Sequence, residues 1–424
     1  LDIPFKTQFS LGGFGLGRLT ILPLFAGVVF LQPRLWLSAW SNSIILAAMI
    51  FLSWGAFVEF VHPFSDWELL FRIFQMLVFA TLIATVVAVP ANFRRILFSL
   101  VVVCSIVGFY LVFNFYDLVS PDVLSVKEAA TVRAQVADEM TLDENLNILG
   151  YTVGMGAITA FARFLVERRG SSRILWGGTF LLCALGVFST LSRGAFIAVA
   201  GALGLMLWRL PTRRFGSQKA LFAAGAVAVL LVLTPAALTE RFSATGETTV
   251  SGKVEGRMQL YTAALESMPQ YWSLGVGEGQ YWHEWAFNNG FGKITPFGTA
   301  VAGPHNGFLA AWIFYGLPGL ILLGLVCHCA AMHCPDRSDI SWEAIATFGL
   351  LVASLIWLLF THNLYLKIFG VILGLVIAAS AKRSTARAHA AAERSPTKRR
   401  RLFNPRAQKA LAHFYAVRRH RRAW

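Results

Sequence analysis

Eleven stretches of this chain, 14–32, 43–61, 71–90, 96–116, 146–166, 174–190, 193–210, 220–238, 306–332, 343–360 and 364–381, are apolar over nearly their whole length. Hydrocarbon offers no partner for a backbone amide, so apolar runs of about 17–25 residues close their hydrogen bonds internally as spanning helices. The expected fold class is an all-α polytopic membrane protein with about 11 transmembrane helices. The chain begins with Leu1, so a preceding segment carrying a twelfth helix and a leucine standing for an alternative start both remain open. Composition points the same way: 56% of residues are hydrophobic and 14% charged, with 35 Phe and 13 Trp, against about 25% charged in soluble domains. A cytosolic enzyme, a secreted disulfide scaffold and a disordered chain are excluded. The five cysteines lie in or beside apolar runs, and an odd count there speaks against a disulfide framework.

The formal charge of +15 is a property of one end. Residues 382–424 hold 14 Lys/Arg and one Glu, leaving 23 basic and 21 acidic residues for everything before them. Among the connections, one alternating set carries Arg34, Arg94 and Arg95, then Arg168, Arg169 and Arg173, then Arg209, Arg213, Arg214 and Lys219, then Arg337 and the tail. The other set is acidic or mixed, with seven acids and two bases from Asp117 to Asn145. Basic connections stay cytoplasmic. The expected organisation is a first membrane bundle over 1–238, a periplasmic loop over 239–304, a second bundle over 305–381 and a basic cytoplasmic tail over 382–424. The loop is 66 residues long and holds Trp272, Trp282, Trp285, Tyr261, Tyr271 and Tyr281 among glycines. A loop of that length is usually functional. A short helix over 254–268 is expected in it, near the membrane surface, with a glycine-rich turn at Gly275, Gly277 and Gly279.

Three features fall on the outer face. Ser192-Arg193-Gly194-Ala195 opens the seventh run. An arginine at a helix N-terminus opposes the dipole; it either snorkels to lipid phosphates or joins free backbone donors in an anion site. Arg257 stands four residues before Tyr261, which places both on one helical face, as a solvated surface arginine or a second contact to the same anion. His305-Asn306 sits at the mouth of the ninth run, nine residues before Gly316-Leu317-Pro318-Gly319. Glu59, His62, Asp66, Arg72, His362 and Lys367 are further polar residues at helix boundaries, either lining the same cavity or pairing at the interface, with Lys367 a candidate diphosphate contact.

Ser192-Arg193-Gly194-Ala195, the arginine ahead of Gly275-Val276-Gly277, and His305-Asn306-x9-Gly316-x-x-Gly319 together resemble the O-antigen ligase and polymerase superfamily over residues 146–330. The resemblance implies an enzyme of the inner membrane that takes a glycan from an undecaprenyl diphosphate carrier at the periplasmic face. Ligases pass it to lipid A-core, polymerases to another lipid-linked repeat. It maps Arg193, Arg257 and His305 onto the family's essential positions; by their chemistry Arg193 and Arg257 are expected to hold the diphosphate and His305 to act as general base, with Tyr261, Asn306 and Lys367 as expected substrate contacts. The chemistry is consistent with those residue types. Guanidinium forks match diphosphate oxygens and can hold the charge that develops on the leaving group. A lipid diphosphate leaves without protonation, so no hydrolase-type carboxylate pair is needed. An imidazole with an unperturbed pKa of about 6.5 can take the acceptor hydroxyl's proton. The expected reaction is a single in-line displacement with inversion.

No cofactor is expected, and no metal: the chain has no Asp-x-Asp motif, and Cys327-His328-Cys329 with His333-Cys334 would converge only if their helix unwound. Gly246 to Lys253 has five residues between its glycines and Val254 where a phosphate loop needs Ser or Thr. Besides the lipid-linked glycan and its acceptor, the expected partner is anionic inner-leaflet lipid at the basic tail, at about 1 kcal/mol per basic residue; no nucleic-acid motif accompanies the charge. Ligase is favoured and polymerase is the alternative. A lipid-linked sugar transporter or flippase is the competing class, but it would place charges near mid-membrane, whereas here they gather at one surface.

Overall fold

The computed structural model describes residues 10–11, 14–15, 25–118, 146–211, 215–216, 250–295, 298–301, 303–361 and 366–394. Its helices are α1 (Pro33–Trp40), α2 (Ser43–Val61), α3 (Glu68–Val87), α4 (Pro90–Leu118), α5 (Leu146–Val166), α6 (Gly170–Ser189), α7 (Arg193–Arg209), α8 (Val250–Tyr271), α9 (Gly307–Met332), α10 (Trp342–Trp357) and α11 (Lys367–Arg394). Six of them are long and apolar enough to cross a membrane: α2, α3, α4 over Pro90–Phe113, α5, α6 and α9. Among the rest, α10 and the apolar part of α11, Lys367–Ala381, are shorter. The expected run over 220–238 lies outside the described residues.

One expectation is corrected. The run 14–32 is not one helix: Phe14–Gly15 pairs antiparallel with Ser10–Leu11, and among its described residues helix occupies only 25–31. Gly12, Gly13, Gly15 and Gly17 each disfavour a helix by about 1 kcal/mol relative to Ala. The protein is otherwise helical, as expected, with a second short antiparallel hairpin formed by Gly292–Thr295 and Gly298–Val301. The expected loop helix is present and longer than 254–268, running from Val250 to Tyr271.

α5 is the axis of the bundle, with 16 of its 21 residues buried against α4, α6, α7 and α10. Small residues let the neighbours close in: a Cβ on Gly154 would stand 2.3 Å from Val199, and one on Gly156 2.3 Å from the Cβ of Cys104. The outward faces are large and apolar, with Phe98, Ile106, Phe109 and Phe113 on α4 and Ile174 and Leu175 on α6 exposed. Surfaces of that kind belong against lipid rather than water.

The two ends differ. At one, the Arg209 guanidinium donates to the carbonyls of Pro335, at 2.8 Å, and Asp336. Arg337 there donates to the carbonyl of Arg209 at 3.1 Å, and Arg94 pairs with Glu343 at 2.5 Å. The opposite end carries the first turns of α7, α9 and α11 and the last turn of α10.

α9 is broken near that second end. Gly316 has φ 67° and ψ −171°, and Pro318 follows it. Pro318 has no amide to give the carbonyl of Phe314, and Leu317 turns its own amide to the carbonyl of Trp272 at 2.8 Å. The freed acceptors are all satisfied from outside the helix. Val276 donates to Ile313 at 2.7 Å and Gly277 to Phe314 at 2.9 Å, while the Trp54 indole on α2 donates to Tyr315 at 2.8 Å. The approach requires glycine on both sides, because a Cβ on Gly275 would lie 2.5 Å from the Gly316 nitrogen and one on Gly316 2.6 Å from the Ser273 oxygen.

Candidate active site

α7 and α9 start in the same way. Ser192 is the N-cap of α7 and accepts from the Ala195 amide at 3.3 Å. Asn306 is the N-cap of α9 and accepts from the amides of Phe308 and Leu309, both at 3.0 Å. The residue before each cap has left-handed backbone, Leu191 at φ 51° and His305 at φ 50°. These are the only such non-glycine residues among those described. The conformation is uncommon for residues with a Cβ and at about 1–3 kcal/mol persists where the surroundings enforce it, often at functional sites.

Both starts rest on the end of α10. Gly194 packs so closely that an added Cβ would be 2.8 Å from the Cβ of Phe360 and 3.1 Å from the Trp357 ring. Gly307 donates its amide to the carbonyl of Leu358 at 2.7 Å. Trp357 is itself fixed by a stack on Tyr151 of α5, with centroids 4.9 Å apart and planes 9° from parallel. Tyr151 in turn donates to Ser354 at 2.7 Å and touches Phe369 in the first turn of α11 at 5.7 Å. Two helix N-termini, those of α7 and α9, thus meet on one short segment, 357–361. Each carries the positive end of a helix dipole, about half a positive charge, which favours an anion nearby; the first amides of α9 are themselves taken by Leu358 and Asn306.

Within this arrangement Arg193 is the first residue of α7 and half-buried, and His305 precedes the α9 cap, also half-buried. The two are brought to the flanks of the same segment. Asn306 spends its side-chain oxygen on the helix cap. Lys367 opens α11 and is exposed. Tyr261 lies on α8, half-buried against the core. Arg257 falls on the first half of α8, and its side chain lies outside the described residues, as does His362.

A second polar group forms nearby where α2, α3 and the segment after α8 meet. Glu59, fully buried in the last turn of α2, accepts from three backbone amides: Asp66 at 3.0 Å, Glu278 at 2.5 Å and Gly279 at 3.4 Å. It ties the 62–67 turn to the glycine-rich segment. His62 adds a bond between Nδ1 and the Gln280 side-chain oxygen at 3.0 Å. Glu278 is 8% exposed. The Trp282 indole donates to one of its oxygens at 3.3 Å, and the other has no hydrogen-bond partner among the described residues. Burial, with the carboxylates of Asp66 and Glu59 adding to it, pushes the Glu278 carboxyl up to about 8. Downstream, the helical run 278–288 contains a π turn at Tyr281–Trp285, whose Tyr281 and Trp285 rings stack at 5.2 Å.

Among the boundary polar residues noted in the sequence, Glu59, His62 and Asp66 therefore assemble, and Arg72 lines a cavity together with Asp66 and Glu278. Glu278 was missed. Its one signal was an acid between two glycines, Gly277-Glu278-Gly279, in a segment otherwise apolar and aromatic. Cys327, Cys329 and His333 do not converge on a common point: the His333 Nδ1 donates to the carbonyl of Cys329 at 2.8 Å. Among the described residues no group of three or more His, Cys, Asp or Glu is placed to hold a metal ion.

Comparison with known proteins adds one match. Residues 178–324 match the family model described as O-antigen ligase, a span that takes in Arg193, α8, the glycine-rich segment, His305 and the break in α9. No curated protein matches the chain.

Proposed function

Taking residues 178–324 as a domain of the O-antigen ligase family, we propose that the protein moves a glycan from an undecaprenyl diphosphate carrier to a sugar hydroxyl at the periplasmic face of the bacterial inner membrane, with lipid A-core as the acceptor. The observation that carries this reading is the convergence of the α7 and α9 starts on 357–361, with Arg193 and His305 at its two sides. An arginine among helix N-termini suits a leaving diphosphate, since every charge there strengthens as the glycosidic bond breaks. Arg257, from α8, supplies the second guanidinium, and Lys367 the rim of the same anion site. Tyr261 and the Asn306 cap shape the approach.

In the reaction, the acceptor oxygen attacks the anomeric carbon on the face opposite the diphosphate. The bond from that carbon to the diphosphate oxygen breaks, and its electron pair leaves with the carrier. The acceptor proton passes to the His305 imidazole. The anomeric centre inverts, and no metal or cofactor takes part. With 1–238 and 305–381 as the membrane bundles and 239–304 as the periplasmic loop, the site faces outside. The 382–424 tail then lies in the cytoplasm against anionic lipid.

Purified protein given undecaprenyl diphosphate oligosaccharide with either lipid A-core or a second lipid-linked repeat tests the reading. Product on lipid A-core is expected; extended lipid-linked chains would make it a polymerase. His305→Ala is expected to insert normally and transfer nothing, and wild-type transfer by that variant would remove the base from the mechanism.

A further inference from the structure

Beside the carboxylate of Glu59 lies a cavity of about 280 Å³, lined by Asp66, Glu68, Leu69, Arg72, Glu278, Trp282 and Phe314. It opens beside the first turn of α3, where Glu68 is exposed and ion-paired with Arg72. At its inner side are a nine-tenths-buried carboxyl with one unpartnered oxygen, Glu278, and the rings of Trp282 and Phe314. We propose that this cavity is a saccharide subsite, taking one uncharged pyranose ring that stacks on Trp282 and is hydrogen-bonded by Glu278 and Asp66. The proposal rests on the glycan-transfer reading above and specifies how the glycan is held.

The lining decides the ligand class. Asp66 and Glu68 face one arginine that is already paired, so the carrier diphosphate is disfavoured here and directed to the helix N-termini around 357–361. A metal ion is disfavoured by the same geometry that leaves no three ligands converging among the described residues. A sugar ring suits what remains: an apolar C–H face for the indole, and hydroxyls that both donate and accept. Held in its neutral form by burial, the Glu278 carboxyl can donate as well as accept. Its Trp282 bond already fixes its orientation, so little freedom is lost on binding. The distance is also suitable. Phe314 lies eight residues along α9 from the Asn306 cap, roughly 12 Å at 1.5 Å per residue, so a glycan reacting at His305 reaches the cavity within a few rings.

The ring belongs to either the acceptor or the donor glycan, and competition separates them. Detergent-solubilised full-length protein is mixed with methyl glucoside, methyl N-acetylglucosaminide and methyl glucuronide, and saturation-transfer NMR reads which are bound. The two uncharged glycosides are expected to show transfer and the glucuronide none. Displacement by delipidated core oligosaccharide assigns the subsite to the acceptor; displacement by free O-antigen repeat oligosaccharide assigns it to the donor. Glu278→Ala and Trp282→Ala are each expected to lower the signal at least roughly fivefold, the loss of one buried hydrogen bond or one stacking face. Should either fail to yield monodisperse protein, Glu68→Leu at the exposed mouth carries the same expectation. No signal from the wild type, equal signal in the variants, or binding that neither oligosaccharide displaces overturns the proposal. His305→Ala keeps the saccharide signal while losing transfer; transfer surviving in it sinks the catalytic reading and leaves this subsite standing.

Discussion

The amide of Gly307 donates to the carbonyl of Leu358 at 2.7 Å, joining the first turn of α9 to the last residues of the α10 region. Two residues from this bond stands His305, in left-handed backbone. Across 357–361, Gly194 makes the matching contact for α7 and sets Arg193 beside it. The backbone positions of His305 and Arg193 are thus held where α9 and α7 meet this segment.

Gly194→Ala tests that dependence. The new Cβ would meet the Cβ of Phe360 at 2.8 Å, so α7 must shift away from the segment. Overpacking of this kind destabilises by about 1–3 kcal/mol. Transfer is expected to fall further than stability explains, by up to about a hundredfold for a displacement near 1 Å. Comparing thermal midpoints in detergent with transfer rates separates the two effects.

Gly316→Ala is expected to destabilise by about 1–3 kcal/mol or more, since the residue holds a positive φ that disfavours any Cβ. That Cβ would also press the Ser273 carbonyl from 2.6 Å. The readout is faster hydrogen exchange at the amides of Val276, Gly277 and Leu317, whose bonds cross the break.

Glu59→Ala leaves the amides of Asp66, Glu278 and Gly279 without their acceptor. At about 1–3 kcal/mol for each buried donor left unmade, the variant is expected to lose its melting transition or shift it well down. Glu59→Gln keeps one acceptor oxygen and should fall between the variant and the wild type.

Glu278 gives stability a pH dependence with a definite sign. Its carboxyl lies at about 8 in the folded protein against 4.5 ordinarily, so between those values the folded state holds a proton that the unfolded state releases. The contribution is therefore complete below about 4.5, weakens as pH rises towards about 8, and is constant beyond it. Glu278→Gln should flatten that part of the profile of thermal midpoint against pH.

The helices were legible because hydrophobicity over a full span is a strong signal, and Ser192 and Asn306 were legible as starts because caps have a residue preference. The break in α9 was not. Gly316-Leu317-Pro318-Gly319 was visible as a pattern, but mean hydropathy over 306–332 passes smoothly through it, and its partners Trp272, Val276 and Gly277 lie about 40 residues upstream. The Glu59–Glu278 contact spans 219 residues, and no local periodicity reports a pairing at that range. The 292–301 hairpin failed for a different reason: Gly-Lys-Ile-Thr and Gly-Thr-Ala-Val are short and only weakly alternating.

Because Gly275–Gly277 supplies the bonds that α9 lacks, the chain between Trp272 and Gly279 has almost no evolutionary room. An inserted or deleted residue there would unstitch a helix in the membrane as well as reshape a loop. Change of sequence is tolerated more readily elsewhere, in the π turn or the 292–301 hairpin, while the join itself must keep its length.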